Sequence, residues 1–121
     1  MDDIKILIID DVNEVRGLLR TLLMNIGYSK IEDAKDGETA KKKCQKNKYD
    51  IILLDIELPD YSGIELLKFF IKEYPNTAVI MCSAHSTLDN VKASLFSGAK
   101  SFIVKPFSIR KLQNALDKAK N

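Results

Sequence analysis

The sequence predicts an α/β domain: a doubly wound, five-stranded parallel sheet held between two helical layers. Three observations predict it. Five short runs rich in Ile, Val and Leu recur along the 121 residues. Between them lie stretches whose apolar residues follow helical spacing, so strand and helix alternate five times. No linker, low-complexity tract or repeat interrupts the alternation. Strands joined by helices pair in parallel, because each crossover carries the chain back to its starting end. The sheet is then central, with helices on both faces.

The first strand, Lys5–Ile9, is almost continuously apolar and suits a strand covered on both faces. Val15, Leu18, Leu19, Leu22, Leu23 and Ile26 then form one helical stripe, and Gly27 follows as a stop signal. The second strand, Lys30–Ala34, is more polar, as an edge strand can be. From Asp36 to Asn47 only Ala40 and Cys44 offer an inner helical face, with lysines around them. The third strand, Ile51–Leu54, is again fully apolar. Ser62 to Glu65 reads as a capping box opening a helix through Tyr74, with Ile64, Leu67, Ile71 and Tyr74 inward and Pro75 ending it. The fourth strand is Ala78–Cys82. Leu88, Val91 and Leu95 form the next stripe, closed by Gly98. The fifth strand, Ser101–Val104, is a second edge candidate, and Ile109, Leu112, Leu116 and Ala119 mark the last helix.

Composition bounds the function. Hydrophobic residues make up 45% and charged residues 30% of the chain, enough to build a core and keep a polar surface. A net charge of +2 demands neither nucleic acid nor an anionic membrane. The start, MDDIKILIIDD, is acidic ahead of its apolar run, the wrong pattern for a secretory signal. No apolar run approaches the roughly 20 residues of a membrane-spanning helix. Cys44 and Cys82 lie far apart without CxxC spacing and read as small apolar residues. Lys41, Lys42, Lys43, Lys46 and Lys48 read as a solvated face. The expectation is one cytoplasmic domain over residues 1–121, with no membrane and no direct nucleic acid contact.

In such sheets, ligands bind beyond the carboxyl ends of the strands, where the strand order reverses. The first strand ends in Asp10 and Asp11, the third in Asp55, the fourth at Ser83 and Ala84, and the fifth at Lys105 and Pro106. Three carboxylates crowded together repel one another. A hard divalent cation such as Mg²⁺ relieves that repulsion, since it takes oxygen ligands from one or two carboxylates, water and a phosphate. A lysine suits a phosphoryl oxygen as a point charge. Such a crevice fits Mg²⁺-assisted phosphoryl transfer, in which positioning and charge neutralisation dominate. Singly, each of these residues reads as a loop or cap; their joint placement at four strand ends carries the functional reading.

At these residues the sequence resembles the receiver domain of bacterial response regulators, close to the chemotaxis type. The motifs are IIDD, LLDIELPDYSG, the Ser-Ala pair after the fourth strand, and GAKSFIVKPF. The likeness runs from Ile4 to about Ala119. It implies a flavodoxin-like (βα)5 fold with strand order 2-1-3-4-5. It implies a two-component signalling domain rather than an enzyme, assisting only its own phosphorylation and dephosphorylation. The phosphoryl group would come to Asp55 from a sensor histidine kinase or a histidine phosphotransfer protein. Asp11, Asp55 and the Glu57 carbonyl would ligate Mg²⁺, with Mn²⁺ as a substitute ion, and Asp10 would act through water. Amides near Ile56 and Ala84, together with Lys105 and Ser83, would contact the phosphoryl oxygens, and the Lys105–Pro106 bond would be cis. Ser83 and Phe102 would form a switch that signals through the fourth helix, fifth strand and fifth helix. The recipient would be an output protein or a tethered output domain, and the domain a monomer or a phosphorylation-promoted dimer.

Two departures stand out. Phe102 occupies a position where the family often has tyrosine, so its inward state would rest on burial alone. Glu57, where an uncharged residue is frequent, and His85 are expected to pair across the crevice mouth and tune loss of the phosphoryl group. Rival readings fit less well. A flavin module needs a Ser/Thr/Gly-rich phosphate loop where this chain has Asp-Asp-Val-Asn-Glu. An aspartyl phosphatase would need a DxD pattern and a cap domain, and no P-loop is present. A receiver fold that serves only as a phosphorylation-independent docking module is the remaining alternative.

Overall fold

The computed structural model describes residues 3–84 and 87–120. Its elements are β1 (Lys5–Ile9), α1 (Asn13–Ile26), β2 (Lys30–Ala34), α2 (Gly37–Lys46), β3 (Ile51–Asp55), α3 (Gly63–Glu73), β4 (Ala78–Ser83), α4 (Leu88–Phe96), β5 (Ser101–Val104) and α5 (Ile109–Lys120). All strand pairs are parallel and the sheet order is β2-β1-β3-β4-β5. The chain leaves β1 toward β2 on one side and returns to β3 on the other. That reversal opens a crevice between the carboxyl ends of β1 and β3.

The continuous apolar runs are explained by two cores. Ile6, Ile8, Leu53, Ile80, Cys82 and Ile103 face α1 and α5, meeting Leu19, Leu23, Leu112, Ala115 and Leu116. The alternate residues Leu7, Ile9, Ile52, Leu54, Val79 and Met81 face α2 and α3, meeting Ala40, Cys44, Leu66, Leu67 and Phe70. Each such Leu or Ile contributes about 1.5–3 kcal/mol by leaving water. The central strands are therefore rigid platforms, and the residues at their ends are held by the packing of the whole sheet.

Three helical faces differ from expectation. In α1, Leu18 lies outside the buried stripe at 46% exposure. In α3 the Ser62 cap accepts the Glu65 amide at 3.3 Å and sets the helix start, as the capping pattern predicts. The face is rotated, however: Leu66, Leu67 and Phe70 are buried, while Ile64, Ile71 and Tyr74 are half-buried flanks. The largest difference is α4. Its expected inner residues Leu88 and Leu95 are 68% and 47% exposed, and Phe96 is 95% exposed. The helix seats instead through Ser94, which is fully buried with its hydroxyl satisfied by donating to the Asn90 carbonyl at 2.8 Å. A small residue at the contact lets the helix lie close to the sheet edge and leaves its larger apolar side chains outside.

The lysine-rich α2 is only partly a solvated face. Lys43 Nζ donates to the Asp33 carbonyl at 2.5 Å, and Lys41 Nζ lies over the rings of Tyr61 and Phe69 at 4.2 and 4.3 Å. Lys42, Lys46 and Lys48 remain exposed. Among the described residues, no helix is long and apolar enough to cross a membrane.

Candidate metal centre

β1 delivers Asp10 into the crevice, and its amide donates to the Ala34 carbonyl at 3.2 Å, extending the β1–β2 ladder by one residue. Asp55 closes β3 in register with Cys82 of β4. Asp10 and Asp55 are 1% and 6% exposed, while Asp11 is exposed. Oxygen atoms of all three carboxylates lie within 4.8 Å of one another. Beyond β5, the Lys105 amide donates to the Ser83 carbonyl at 2.9 Å, and the Lys105–Pro106 bond is cis. Lys105 Nζ reaches Asp10 Oδ2 at 3.0 Å and Asp55 Oδ2 at 3.3 Å.

The charges explain one another. Burial, then the neighbouring Asp10 charge, pushes the Asp55 carboxyl up to about 6; Lys105 and the Glu57 amide pull against that rise. Burial works against the Lys105 ammonium, but the hydrogen bond to Asp10 and the charges of Asp55 and Asp10 outweigh it and raise its pKa. One ammonium against two buried carboxylates, with Asp11 alongside, leaves excess negative charge in the crevice. Oxygen donors, crowding and excess negative charge together fit a hard divalent cation. The donor set fits Mg²⁺ better than a softer metal, because Cys82 behind Asp55 is fully buried and its thiol is pushed far up, chiefly by that burial.

On Asp10 and Asp55 alike, both carboxylate oxygens accept hydrogen bonds. Both oxygens of Asp10 are engaged, Oδ1 by the Val12 amide at 2.9 Å and Oδ2 by Lys105. Asp55 Oδ1 accepts the Glu57 amide at 3.2 Å. Here one expectation is corrected. The Ile56 amide does not face the crevice; it donates to the Cys82 carbonyl at 3.0 Å and extends the β3–β4 ladder. The amide directed at Asp55 belongs to Glu57, one residue further on.

Ser83 is buried at the end of β4, Ala84 is exposed beside it, and Phe102 is half-buried against the α2–α3 core. Glu57 is exposed at the mouth. His85, its expected partner, lies outside the described residues.

Two supporting residues were not singled out by sequence reasoning. Arg16 Nη1 donates to the Asp10 carbonyl at 2.6 Å and fixes the backbone under the carboxylate. On the polar side of α1, nothing in the pattern distinguishes it. Gly63 opens α3 against the backbone of the phosphoacceptor candidate. A Cβ there would lie 2.4 Å from Ile56 Cα and 2.7 Å from the Asp55 carbonyl oxygen. Only glycine admits this approach, and its amide donates to the Ile56 carbonyl at 2.8 Å. A glycine directly after a helix cap was the available signal.

Fold and site together define a doubly wound α/β domain with an acidic crevice at its topological switch point. The family model of the response regulator receiver domain matches residues 6–117, and the chain belongs to that family. Chemotaxis protein CheY of Listeria monocytogenes is 36% identical over 116 residues, covering 96% of this chain and 98% of the relative. CheY of Thermotoga maritima is also 36% identical, over 114 residues, covering 94% and 95%. The response regulator TrrA of Thermotoga maritima, solved in complex with Mg²⁺–BeF, superposes with a TM-score of 0.85 at 33% identity, covering 96% of this chain and 98% of that one.

Proposed function

We propose that the domain accepts a phosphoryl group on Asp55 from a phosphohistidine of a sensor kinase or phosphotransfer protein, and that this state is read on the α4–β5–α5 face. The observation that carries the reading is Lys105 bridging Asp10 and Asp55 with Asp11 alongside, all at the strand-order reversal. Asp55 supplies the attacking carboxylate oxygen. The new bond forms from that oxygen to phosphorus as the bond from phosphorus to the histidine nitrogen breaks, and the nitrogen leaves with its electron pair. Asp11, Asp55 and the Glu57 carbonyl would hold Mg²⁺, with Asp10 acting through water. The ion supplies neutralisation of the charge on the phosphoryl oxygens. Lys105 exchanges Asp55 for a phosphoryl oxygen, and the Ser83 hydroxyl and Ala84 amide complete the contacts. Withdrawal of Ser83 toward the phosphoryl group lets Phe102 turn further inward.

The output side has its own support. Leu88, Leu95 and Phe96 stand exposed on α4, with the cationic side chains of Lys92, Lys100, Arg110 and Lys111 exposed nearby in sequence and fold. Addition of beryllofluoride with Mg²⁺, as a phosphoryl mimic, tests both halves by NMR. Resonances around Asp55 and on α4, β5 and α5 should shift together, and the Asp55→Asn variant should show neither. Shifts that stop at the crevice would contradict the output face.

A further inference from the structure

The loop that follows Asp55 is fastened at its tip to a helix that contributes no residue to the crevice. Asp60 Oδ1 accepts the Gly37 amide and Oδ2 accepts the Glu38 amide, both at 2.9 Å. These are the first two N–H groups of α2, which have no partner within the helix. Next to Asp60, the Tyr61 ring lies against Gly37, where a Cβ would come within 2.4 Å of Tyr61 Cδ2. The Lys41 ammonium is held between Tyr61 and Phe69, so α2 grips the loop from a second side. At its other end the loop is tied down by Gly63, and Glu57 bridges to Ser62 across it.

The α2 start does not need Asp60 to form. Asp36 already caps it, its side chain accepting the Thr39 amide at 2.8 Å. A bidentate carboxylate from a segment more than twenty residues away therefore adds a tertiary tie to a helix that has its own local cap. Between the two ties sit Glu57, whose amide reaches Asp55, and the carbonyl assigned to the metal.

We infer that Asp60 is a positioning residue: by strapping the β3–α3 loop to the first turn of α2, it holds the Glu57 backbone where it serves Asp55 and the divalent cation. The inference rests on the reading of Asp55, Asp11 and Glu57 as the cation site. It follows that α2, remote from the chemistry in sequence, sets cation affinity.

The test is Mg²⁺ titration by calorimetry on wild type, Asp60→Ala, Asp60→Asn and Asp36→Ala, beside amide exchange in the metal-free proteins. Asp60→Ala should weaken Mg²⁺ binding by about tenfold, as loss of an outer partner of a metal ligand does. Asp60→Asn, which keeps one acceptor oxygen, should fall between that variant and wild type. Asp36→Ala removes the local cap without touching the loop and should leave the affinity unchanged, whatever it does to thermal stability. Exchange protection of the Gly37 and Glu38 amides should drop in Asp60→Ala. Unchanged affinity in Asp60→Ala, or equal weakening in Asp36→Ala, would overturn the strap while leaving the cation site standing. No Mg²⁺ binding by wild type would overturn the site itself, and the strap with it.

Discussion

The crevice and the α4 face break the ordinary rule of burial in opposite directions. In the crevice, Asp10 and Asp55 are almost wholly buried and share a single lysine. On α4, Leu88, Leu95 and Phe96 face outward. Buried charge and exposed apolar surface are the informative departures from hydrophobic-in, polar-out. The first costs stability unless a cation completes it; the second costs little and offers a surface to a partner. The two are linked through β4 and β5, which carry Ser83 and Lys105 at one end and support α4 along their edge.

The comparison breaks most sharply at Lys105. Replacing it with alanine strands two buried carboxylates, and at pH 7 the metal-free domain should lose about 3 kcal/mol in a denaturant titration. Mg²⁺ should recover part of that loss, because it answers the same repulsion. A variant as stable as wild type would mean that the crevice is better solvated than its burial indicates.

A pH series sharpens the same point. Asp55 is pushed up to about 6 from its ordinary value of 3.8, so between those limits the folded state binds more protons than the unfolded chain. Stability contributed by this group therefore falls as pH rises through that window and is regained as pH falls. Metal-free wild type should gain stability from pH 7 to pH 5 relative to Asp55→Asn, which has no such carboxyl. Parallel pH profiles for the two proteins would contradict the raised value.

The smallest effect belongs to the other region. Phe96→Ser should change stability by no more than about 0.5 kcal/mol, since the side chain is 95% exposed. Leu66→Ala in the α3 core should cost about 2–5 kcal/mol by comparison. A large loss in Phe96→Ser would show that α4 packs more deeply than its exposure indicates.

These regions were not equally legible in the sequence. The five strands, their parallel pairing and the residues at their carboxyl ends follow from apolar runs and chain alternation, and the crevice followed from them. The inward assignment of Leu88 and Leu95 failed because a helical stripe records amphipathicity, not what covers it; an uncovered stripe looks the same as a core face. The amide expected near Ile56 lies one residue further on, at Glu57, because ladder register decides which N–H is consumed and a one-residue shift is invisible in composition. The tie from Asp60 to Gly37 and Glu38 is a contact between segments more than twenty residues apart, with no periodic signature. Arg16 under Asp10 is of the same kind.

Whether Asp55 carries the phosphoryl group is read out by intact mass. Wild type and Asp55→Asn would be incubated with acetyl phosphate, with and without Mg²⁺. A gain of one phosphoryl group is expected only in wild type and only with Mg²⁺. An equal gain in Asp55→Asn would put the chemistry elsewhere, and no gain in wild type, together with no beryllofluoride binding, would reduce the domain to a docking module with a silent acidic crevice.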